Sequence, residues 1–202
     1  MSKKKGVGEV SLISRFINVL STPQRKQESL PAERIYQSVL AASRQPDLYI
    51  EFEIPDNLDS RFDMLCLHIS LVMLRLRQLP EEIQKPLNQD LFDRFFADMD
   101  FTLREMGVGD LGVGKRVRKM SEAFMGRLTA YDEALAESDA DALCLAVARN
   151  LRRAETSCAA DERMAAYMID KHQQLARLSD ASLQDGEVDF VAVLALNGQA
   201  DG

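Results

Sequence analysis

The sequence has no tryptophan, few cysteines and few of the residues that break helices. Among its 202 residues are 10 glycines, 6 prolines and 3 cysteines, and long helices are favoured because the two strongest helix breakers are rare. Cys66, Cys144 and Cys158 lie far apart without a Cys-x-x-Cys pair, which excludes the usual patterns of zinc sites and disulfide frameworks. Each lies in an apolar or alanine-rich stretch, which predicts small buried side chains and a reducing compartment.

Long hydrophobic runs are absent as well. The longest, residues 64–74, contains eleven residues, which is about half of what a helix needs to cross a bilayer. The amino terminus, MSKKKGVGEV, lacks the apolar core of a signal peptide and the arginine- and serine-rich character of a mitochondrial transit peptide. These absences predict a soluble, cytoplasmic protein.

The chain is acidic overall, with 32 acidic and 25 basic residues and a net charge of −7, but residues 1–28 are basic. The acidic body argues against nonspecific binding to nucleic acid, and we expect no specific nucleic-acid partner. Residues 9–20 have the apolar spacing of a short amphipathic helix, followed by a polar linker at 21–29. Weak, reversible contact with a membrane surface is therefore expected. Its predicted residues are Lys3, Lys4, Lys5, Ile13, Phe16 and Leu20.

Apolar residues at helical spacing dominate the rest of the chain. The predicted helices cover residues 31–43, 58–79, 87–106, 115–136, 138–153 and 158–178. The alternation at 49–54 predicts a short strand or an extended loop, and the state of 188–196 stays open.

The predicted fold is an all-α, single-domain bundle of about six to eight helices, with a glycine-rich turn between two of them. Its organisation divides into an amino-terminal segment and linker at 1–28, a helical domain at 29–180 and a tail at 181–202. Pro80 and Pro86 are expected to lie in a loop, and Ser138 with Asp141 is expected to form a capping box.

The glycine-rich segment at residues 107–115 contains both GxGxxG and GxxxxGK. Both patterns bind phosphate only where a strand precedes the loop and a helix follows it. Here a predicted helix precedes the segment, and Arg116 stands where a nucleotide-binding loop needs Ser or Thr for magnesium. A turn between two helices is therefore the favoured interpretation, with nucleotide binding as the alternative.

Clusters of carboxylates and two histidines raise the question of metal binding or catalysis. A di-iron bundle needs Glu-x-x-His, but His68 and His172 have Leu65 and Ile169 three residues earlier. A solvated or salt-bridged face is the favoured interpretation of the carboxylates, and His68 is predicted to be a hydrogen-bonded core residue. No nucleophile has a local signature, so we expect no catalytic residue, cofactor or metal. The carboxylates are Asp93, Asp98, Asp100, Glu105 and Asp110.

The glycine segment is also flanked by charges and methionines. A basic cluster follows it and either forms salt bridges with the acidic cluster before it or presents a polar contact surface. The basic residues are Lys115, Arg116, Arg118 and Lys119. The nearby methionines either fill the core or adapt to an irregular apolar partner. These are Met99, Met106, Met120 and Met125.

Three stretches, PDNLDSRFDML at 55–65, FDRFFADMD at 92–100 and LREMGVGDLGVGK at 103–115, resemble the ubiquinol–cytochrome c chaperone family. The members of this family are assembly factors of the cytochrome bc1 complex. The similarity covers about residues 30–155, is most specific over 95–119, and suggests a bacterial-type member.

This resemblance implies a non-enzymatic helical protein that binds newly made cytochrome b and promotes its maturation into the bc1 complex. Mitochondrial relatives act at the inner membrane with a small partner protein and near the ribosome, whereas this chain is expected at the cytoplasmic face of the inner membrane. The alternatives are a helical adaptor or scaffold for a soluble protein and, less favoured, a phosphate- or metal-binding enzyme.

A chaperone that covers apolar membrane helices needs an adaptable apolar groove with a polar rim. We expect that surface around the glycine segment. The predicted rim is Asp98, Asp100, Arg104, Asp110, Lys115 and Lys119, and the apolar residues beneath it are Phe95, Met99, Met106, Met120 and Phe124.

Overall fold

A computed structural model describes residues 29–196, which are helical and contain no β-strand in that range. The prediction of an all-α bundle is confirmed. The described helices are α1 (Leu30–Ser43), α2 (Pro46–Glu51), α3 (Leu58–Leu76), α4 (Glu81–Glu105), α5 (Asp110–Ala136), α6 (Ala140–Val147), α7 (Ala159–Ala176), α8 (Asp180–Gln184) and α9 (Phe190–Val193), with a π-helical turn (Ala148–Arg152) after α6.

Helix α3 is the centre of the bundle. It packs against α1, α4, α5 and α7, and its side chains are buried without interruption from Asp63 to Leu76. The Asn57 side chain caps its amino terminus by accepting a hydrogen bond from the Ser60 N–H at 3.0 Å. A helix that is apolar on nearly all sides is stable in water only when neighbours cover every face.

His68 lies inside α3 as the predicted hydrogen-bonded core residue. Its Nδ1 is 2.7 Å from the Met64 carbonyl oxygen, and its Nε2 is 2.8 Å from the Tyr167 hydroxyl oxygen on α7. The same hydroxyl oxygen lies 2.6 Å from the Leu194 carbonyl oxygen. These contacts link α3, α7 and the end of α9.

A buried charge network also joins α3 to its neighbours. The Asp63 carboxylate accepts hydrogen bonds from Arg127 on α5 and from Arg153 after the π-helical turn, each at 2.8 Å. Asp63 is almost fully buried. Two guanidinium partners compensate for the desolvation of this carboxylate, whereas loss of either partner would leave charge poorly compensated.

Aromatic side chains fill the space between α3, α4 and α5. The rings of Phe95 and Phe124 lie 5.4 Å apart between centroids, and Phe62 of α3 stacks on Phe95 at 6.0 Å. Phe95 and Phe124 are both 0% exposed. Their predicted position at a partner surface is therefore corrected: both belong to the core, because the neighbouring rings and aliphatic side chains separate them from solvent.

Residues 49–54 do not form the predicted strand or extended loop. Helix α2 occupies Pro46–Glu51 instead. Its start is favourable because Pro46 suits the first helical turn and Asp47 places a negative charge near the helix amino terminus. Leu48, Tyr49 and Phe52 turn inward, so a short helix and the turn after it account for the alternation of side chains.

Three further local predictions are also wrong. Helix α4 begins at Glu81 and includes Pro86, because the packing of its long apolar stripe outweighs the loss of one backbone hydrogen bond. The Asp139 side chain, rather than Ser138, caps α6 by accepting from the Ala142 N–H at 2.9 Å.

The third wrong prediction concerns Cys158, which is exposed instead of buried. It lies at the amino-terminal cap of α7, before the first buried turn, and Asp161 accepts a hydrogen bond from its backbone N–H at 2.9 Å.

The carboxyl-terminal segment packs on the bundle over much of its described length. Leu183, Phe190 and Leu194 are fully buried, and α9 contacts α1 and α7. The buried guanidinium of Arg75 donates to the carbonyl oxygens of Leu175 and Leu178, at 3.0 and 2.7 Å. It thereby fixes the connection from α7 to α8.

Candidate partner-binding surface

The connection between α4 and α5 is a tight corner that depends on one glycine. Gly107 has φ +79, and the Val108 N–H donates to the Leu103 carbonyl at 3.1 Å while the Gly107 N–H donates to the Arg104 carbonyl at 2.9 Å. This pair of bonds is a Schellman motif, in which the left-handed residue is usually glycine. The turn is shorter than predicted, since α5 begins at Asp110 and places Gly112 and Gly114 inside the helix.

We expect the two substitutions Gly107→Ala and Gly114→Ala to change stability in opposite directions. Gly107→Ala forces a Cβ into the left-handed region and lowers the free energy of unfolding by about 1–2 kcal/mol. Gly114 is exposed within α5, and a Cβ added there would meet no neighbouring atom within 4 Å. Gly114→Ala therefore raises the free energy of unfolding by roughly 0.5–1 kcal/mol. Urea unfolding followed by circular dichroism measures both, and equal signs would contradict this account of the corner.

Three large apolar side chains are exposed around this corner. Phe101 is 61% exposed in the last turns of α4, Met106 is 53% exposed at its carboxyl-terminal cap, and Leu111 is 97% exposed in the first turn of α5. We call these three residues the apolar trio. All three lie at or near the ends of the two helices that meet in this turn, and large apolar side chains exposed in one region indicate an interaction surface more than single ones do.

The acidic residues of the corner are held by one arginine. Arg104 pairs with Asp100, at 2.5 Å between Nε and Oδ2, and also with Asp110 across the turn. The hydrogen bonds that the Arg104 guanidinium donates to both carboxylates raise its pKa. The two acids therefore form a local network with Arg104 instead of with the lysines of α5.

The basic residues on α5 present the opposite sign of charge. Lys115, Arg116 and Lys119 are exposed, and within residues 29–196 the structure gives them no hydrogen bond or ion pair. Arg118 pairs with Glu122 at 3.0 Å. The basic cluster therefore leaves three cations available, and the interpretation as salt bridges across the turn does not hold among the described residues.

Several predicted surface residues are placed elsewhere. Asp98 accepts a hydrogen bond from the Tyr36 hydroxyl at 2.6 Å and lies 3.7 Å from Arg94, so it joins α1 to α4. Met99 belongs to the core and Met120 is partly buried against it. Of the predicted residues, those exposed or partly exposed at the corner are Asp100, Arg104, Met106, Asp110, Lys115 and Lys119.

Phe101 and Leu111 are not among the residues predicted for this surface. Phe101 does not fit the inward stripe of α4, in which Phe92, Phe95, Phe96, Met99 and Leu103 recur, and that mismatch is the signal that the sequence offers. Leu111 falls within the predicted turn, where no periodicity indicates its direction. Only the start of α5 at Asp110 places it on a solvent-facing helix surface.

The predicted membrane-surface residues lie outside the part of the chain that the structure describes. They are Lys3, Lys4, Lys5, Ile13, Phe16 and Leu20. Among residues 29–196, no cluster of three or more histidine, cysteine, aspartate or glutamate side chains is arranged to hold a metal ion. None of the helices described is both long and apolar enough to cross a bilayer.

Comparison with known proteins gives consistent matches. The ubiquinol-cytochrome C chaperone family matches residues 51–190. Protein CBP3, mitochondrial, of Saccharomyces cerevisiae is 29% identical over 147 residues, covering 71% of this chain and 44% of the yeast protein. The crystal structure of the Cbp3 homolog from Brucella abortus superimposes with a TM-score of 0.71 and 33% identity, covering 94% of this chain and 98% of that chain.

This chain spans less than half the length of the yeast protein, but it matches the Brucella abortus structure over nearly the whole of both chains. The family match includes the corner and both helices that form it. The chain belongs to the ubiquinol-cytochrome c chaperone family.

Proposed function

We propose that this protein is an assembly chaperone of the cytochrome bc1 complex, which binds newly made cytochrome b and promotes its maturation, without making or breaking a covalent bond. Family membership supports the chaperone role, and the apolar trio at the α4–α5 corner is the observation that supports a client-binding surface. Cytochrome b is a membrane protein whose apolar helices need cover before assembly, and exposed Phe101, Met106 and Leu111 are suited to contact them.

The size of this surface suits transient binding. Full burial of a large apolar side chain contributes about 1.5–3 kcal/mol, whereas association costs roughly 4–15 kcal/mol in lost translational and rotational freedom. Three exposed side chains therefore hold a client weakly and reversibly. Assembly partners with larger interfaces can then displace the chaperone.

The polar residues beside the trio form the rim of the proposed surface. Arg104 with its two aspartates lies on one side of the corner, and Lys115 and Lys119 lie on α5. Asp98 is left out of this rim, because its bond to Tyr36 gives it a structural role and a charge reversal there would test folding instead of binding.

We expect the double variant Phe101→Ser/Leu111→Ser to capture roughly tenfold less cytochrome b, since it removes about 1.4 kcal/mol or more of apolar burial. The measurement is a pull-down from detergent-solubilised membranes, quantified by mass spectrometry. Both side chains are solvent-exposed, so the variant should keep the wild-type melting temperature. A photocross-linker in place of Met106 should give a cytochrome b adduct.

The matched control is Ile50→Ser/Leu145→Ser, which removes two exposed apolar side chains on α2 and α6. This control should capture cytochrome b at the wild-type level. Equal capture by both double variants would exclude the corner as the client surface. Capture of a soluble protein without cytochrome b would favour the adaptor or scaffold function instead.

The proposed place of action is the cytoplasmic face of the inner membrane, where newly made cytochrome b is inserted. The basic amino-terminal segment, with Lys3, Lys4, Lys5, Ile13, Phe16 and Leu20, is proposed to add weak membrane affinity. A small partner protein or the ribosome is a further proposed contact, and the same mass spectrometry would detect either.

A further inference from the structure

We propose that the exposed face of α5 docks on an anionic phospholipid bilayer, with Leu111 entering the interface and Lys115, Arg116 and Lys119 contacting the headgroup phosphates. The first observation is charge. From Leu111 to Ser121 the helix contains four basic residues and no acidic one. Three of the four have no ion pair among the described residues, so their charge is available to a ligand.

The helix geometry aligns three of these four groups. Residues four apart lie above one another on an α-helix, so Leu111, Lys115 and Lys119 form a single stripe. Arg116, three residues before Lys119, lies beside that stripe. The core residues of the same helix, among them Val113 and Val117, are buried and lie on the opposite side. The stripe therefore meets solvent along its length while the other face holds the helix on the bundle.

Nearby acidic residues do not cancel this charge. Asp100 and Asp110 are both engaged by Arg104, and Glu122 is engaged by Arg118. Asp100 and Asp110 share one guanidinium and keep one negative charge between them, and the exposed Glu105 adds a second. The three cations of α5 outnumber these two negative charges, so the α5 side of the corner stays positive and is complementary to an anionic surface.

The apolar trio favours a bilayer over RNA as the anionic partner. Leu111 is almost wholly exposed at the start of the basic stripe, and Met106 and Phe101 precede it at the corner. An RNA backbone would satisfy the cations but offers no apolar site for an aliphatic side chain. A bilayer offers phosphates and an apolar boundary a few ångströms below them, as surface-bound amphipathic helices require.

The absence of tryptophan from the chain allows a direct test in the full-length protein. Leu111→Trp introduces a single fluorescent probe at an almost fully exposed position. We expect its emission to shift to the blue, and to be quenched by brominated lipid, with vesicles of phosphatidylcholine and phosphatidylglycerol at low salt. Vesicles of phosphatidylcholine alone should give no shift. Added salt should reverse it, because surface charge is screened.

Ile50→Trp is the matched control, since Ile50 is also an exposed aliphatic residue but lies on α2. Its emission should not change with either vesicle. If the amino-terminal segment alone holds the protein on vesicles, the protein will float with them while the probe at 111 stays in water, and that result would overturn the proposal. Binding of the probe region to RNA but not to vesicles would overturn it as well.

Charge neutralisation gives a second measurement. Adding Lys115→Gln, Arg116→Gln and Lys119→Gln to the Leu111→Trp protein should weaken vesicle affinity roughly 100-fold, since each cation near an anionic bilayer contributes about fivefold. The control removes the same charge from exposed positions elsewhere, with the substitutions Arg44→Gln, Lys85→Gln and Arg177→Gln. This control should weaken vesicle affinity less than about threefold, because its positions lie away from the docked face. An equal loss from both triple variants would reduce the effect to net charge and refute a specific face.

The docked face shares Leu111, Lys115 and Lys119 with the proposed client surface. Contact with vesicles needs no client, so the vesicle experiment tests the docking separately from the proposed function. A protein whose corner binds vesicles but captures no cytochrome b would retain the docking surface and lose the proposed cytochrome b client. Capture of cytochrome b without a shift of the probe emission would support the proposed function and overturn the docking surface.

Discussion

Phe95→Ala is expected to lower the free energy of unfolding by about 3–5 kcal/mol, the range for truncating a buried phenylalanine. Phe95 is 0% exposed and its ring contacts those of Phe62, Phe96 and Phe124. The cavity would lie where α3, α4 and α5 meet, so the loss includes both transfer free energy and contacts of the surrounding rings. Urea unfolding, with the slope checked for two-state behaviour, measures the change.

Phe101→Ala is the matched control, because it makes the same chemical change further along the same helix. Phe101 is largely exposed, so its loss should change the free energy of unfolding by less than about 0.5 kcal/mol. The proposed client surface predicts the reverse order for cytochrome b capture. A small destabilisation for Phe95→Ala would mean that Phe95 is not the core residue described above.

The helices with long apolar stripes are predictable from sequence because one strong signal determines them. Helices α1, α3 and α7 have boundaries within a few residues of those predicted. The short helix α2 is not predictable in the same way, since its six residues provide less than two turns of periodicity. Alternating side chains over so short a length are compatible with a strand and with a helix followed by a turn.

The early start of α4 has a related cause. A proline inside an apolar pattern indicates a helix end when local rules act alone, yet Pro86 lies within α4. The contacts of Leu87, Leu91 and Phe92 with the rest of the core contribute more than one missing backbone bond costs. Such a balance depends on tertiary packing and does not follow from the local sequence.

The candidate surface is predictable in location but not in composition. The resemblance and the clustered charges indicate the glycine segment, and the exposed trio does lie there. Spacing cannot show that Phe95 and Phe124 face inward as a pair, because an inward stripe and a client groove both consist of large apolar residues. The spacing of four residues on α4 predicts the pair of Arg104 with Asp100, and the structure confirms it. The second partner, Asp110, does not follow from spacing because it lies on the next helix.

The buried histidine gives the fold a predictable response to acid. Burial lowers the pKa of His68 to about 4, against an ordinary value of about 6.5 in the unfolded chain. Between these values the unfolded chain binds a proton that the folded protein does not bind. Stability is therefore full above about pH 6.5 and falls as the pH falls toward 4.

The expected size is about 2 kcal/mol of stability lost through His68 between about pH 7.5 and pH 5, from roughly 1.36 kcal/mol per pKa unit. Because buried carboxylates also respond to acid, the measurement is the difference in this pH dependence between the wild type and His68→Gln in urea unfolding. His172→Gln is the control: partial burial also lowers the pKa of His172, so its contribution has the same sign and is smaller. If His68→Gln shows the same pH dependence as the wild type, His68 contributes nothing to it. The folded bundle would then bind a proton at His68 as readily as the unfolded chain does, which would contradict the lowered pKa.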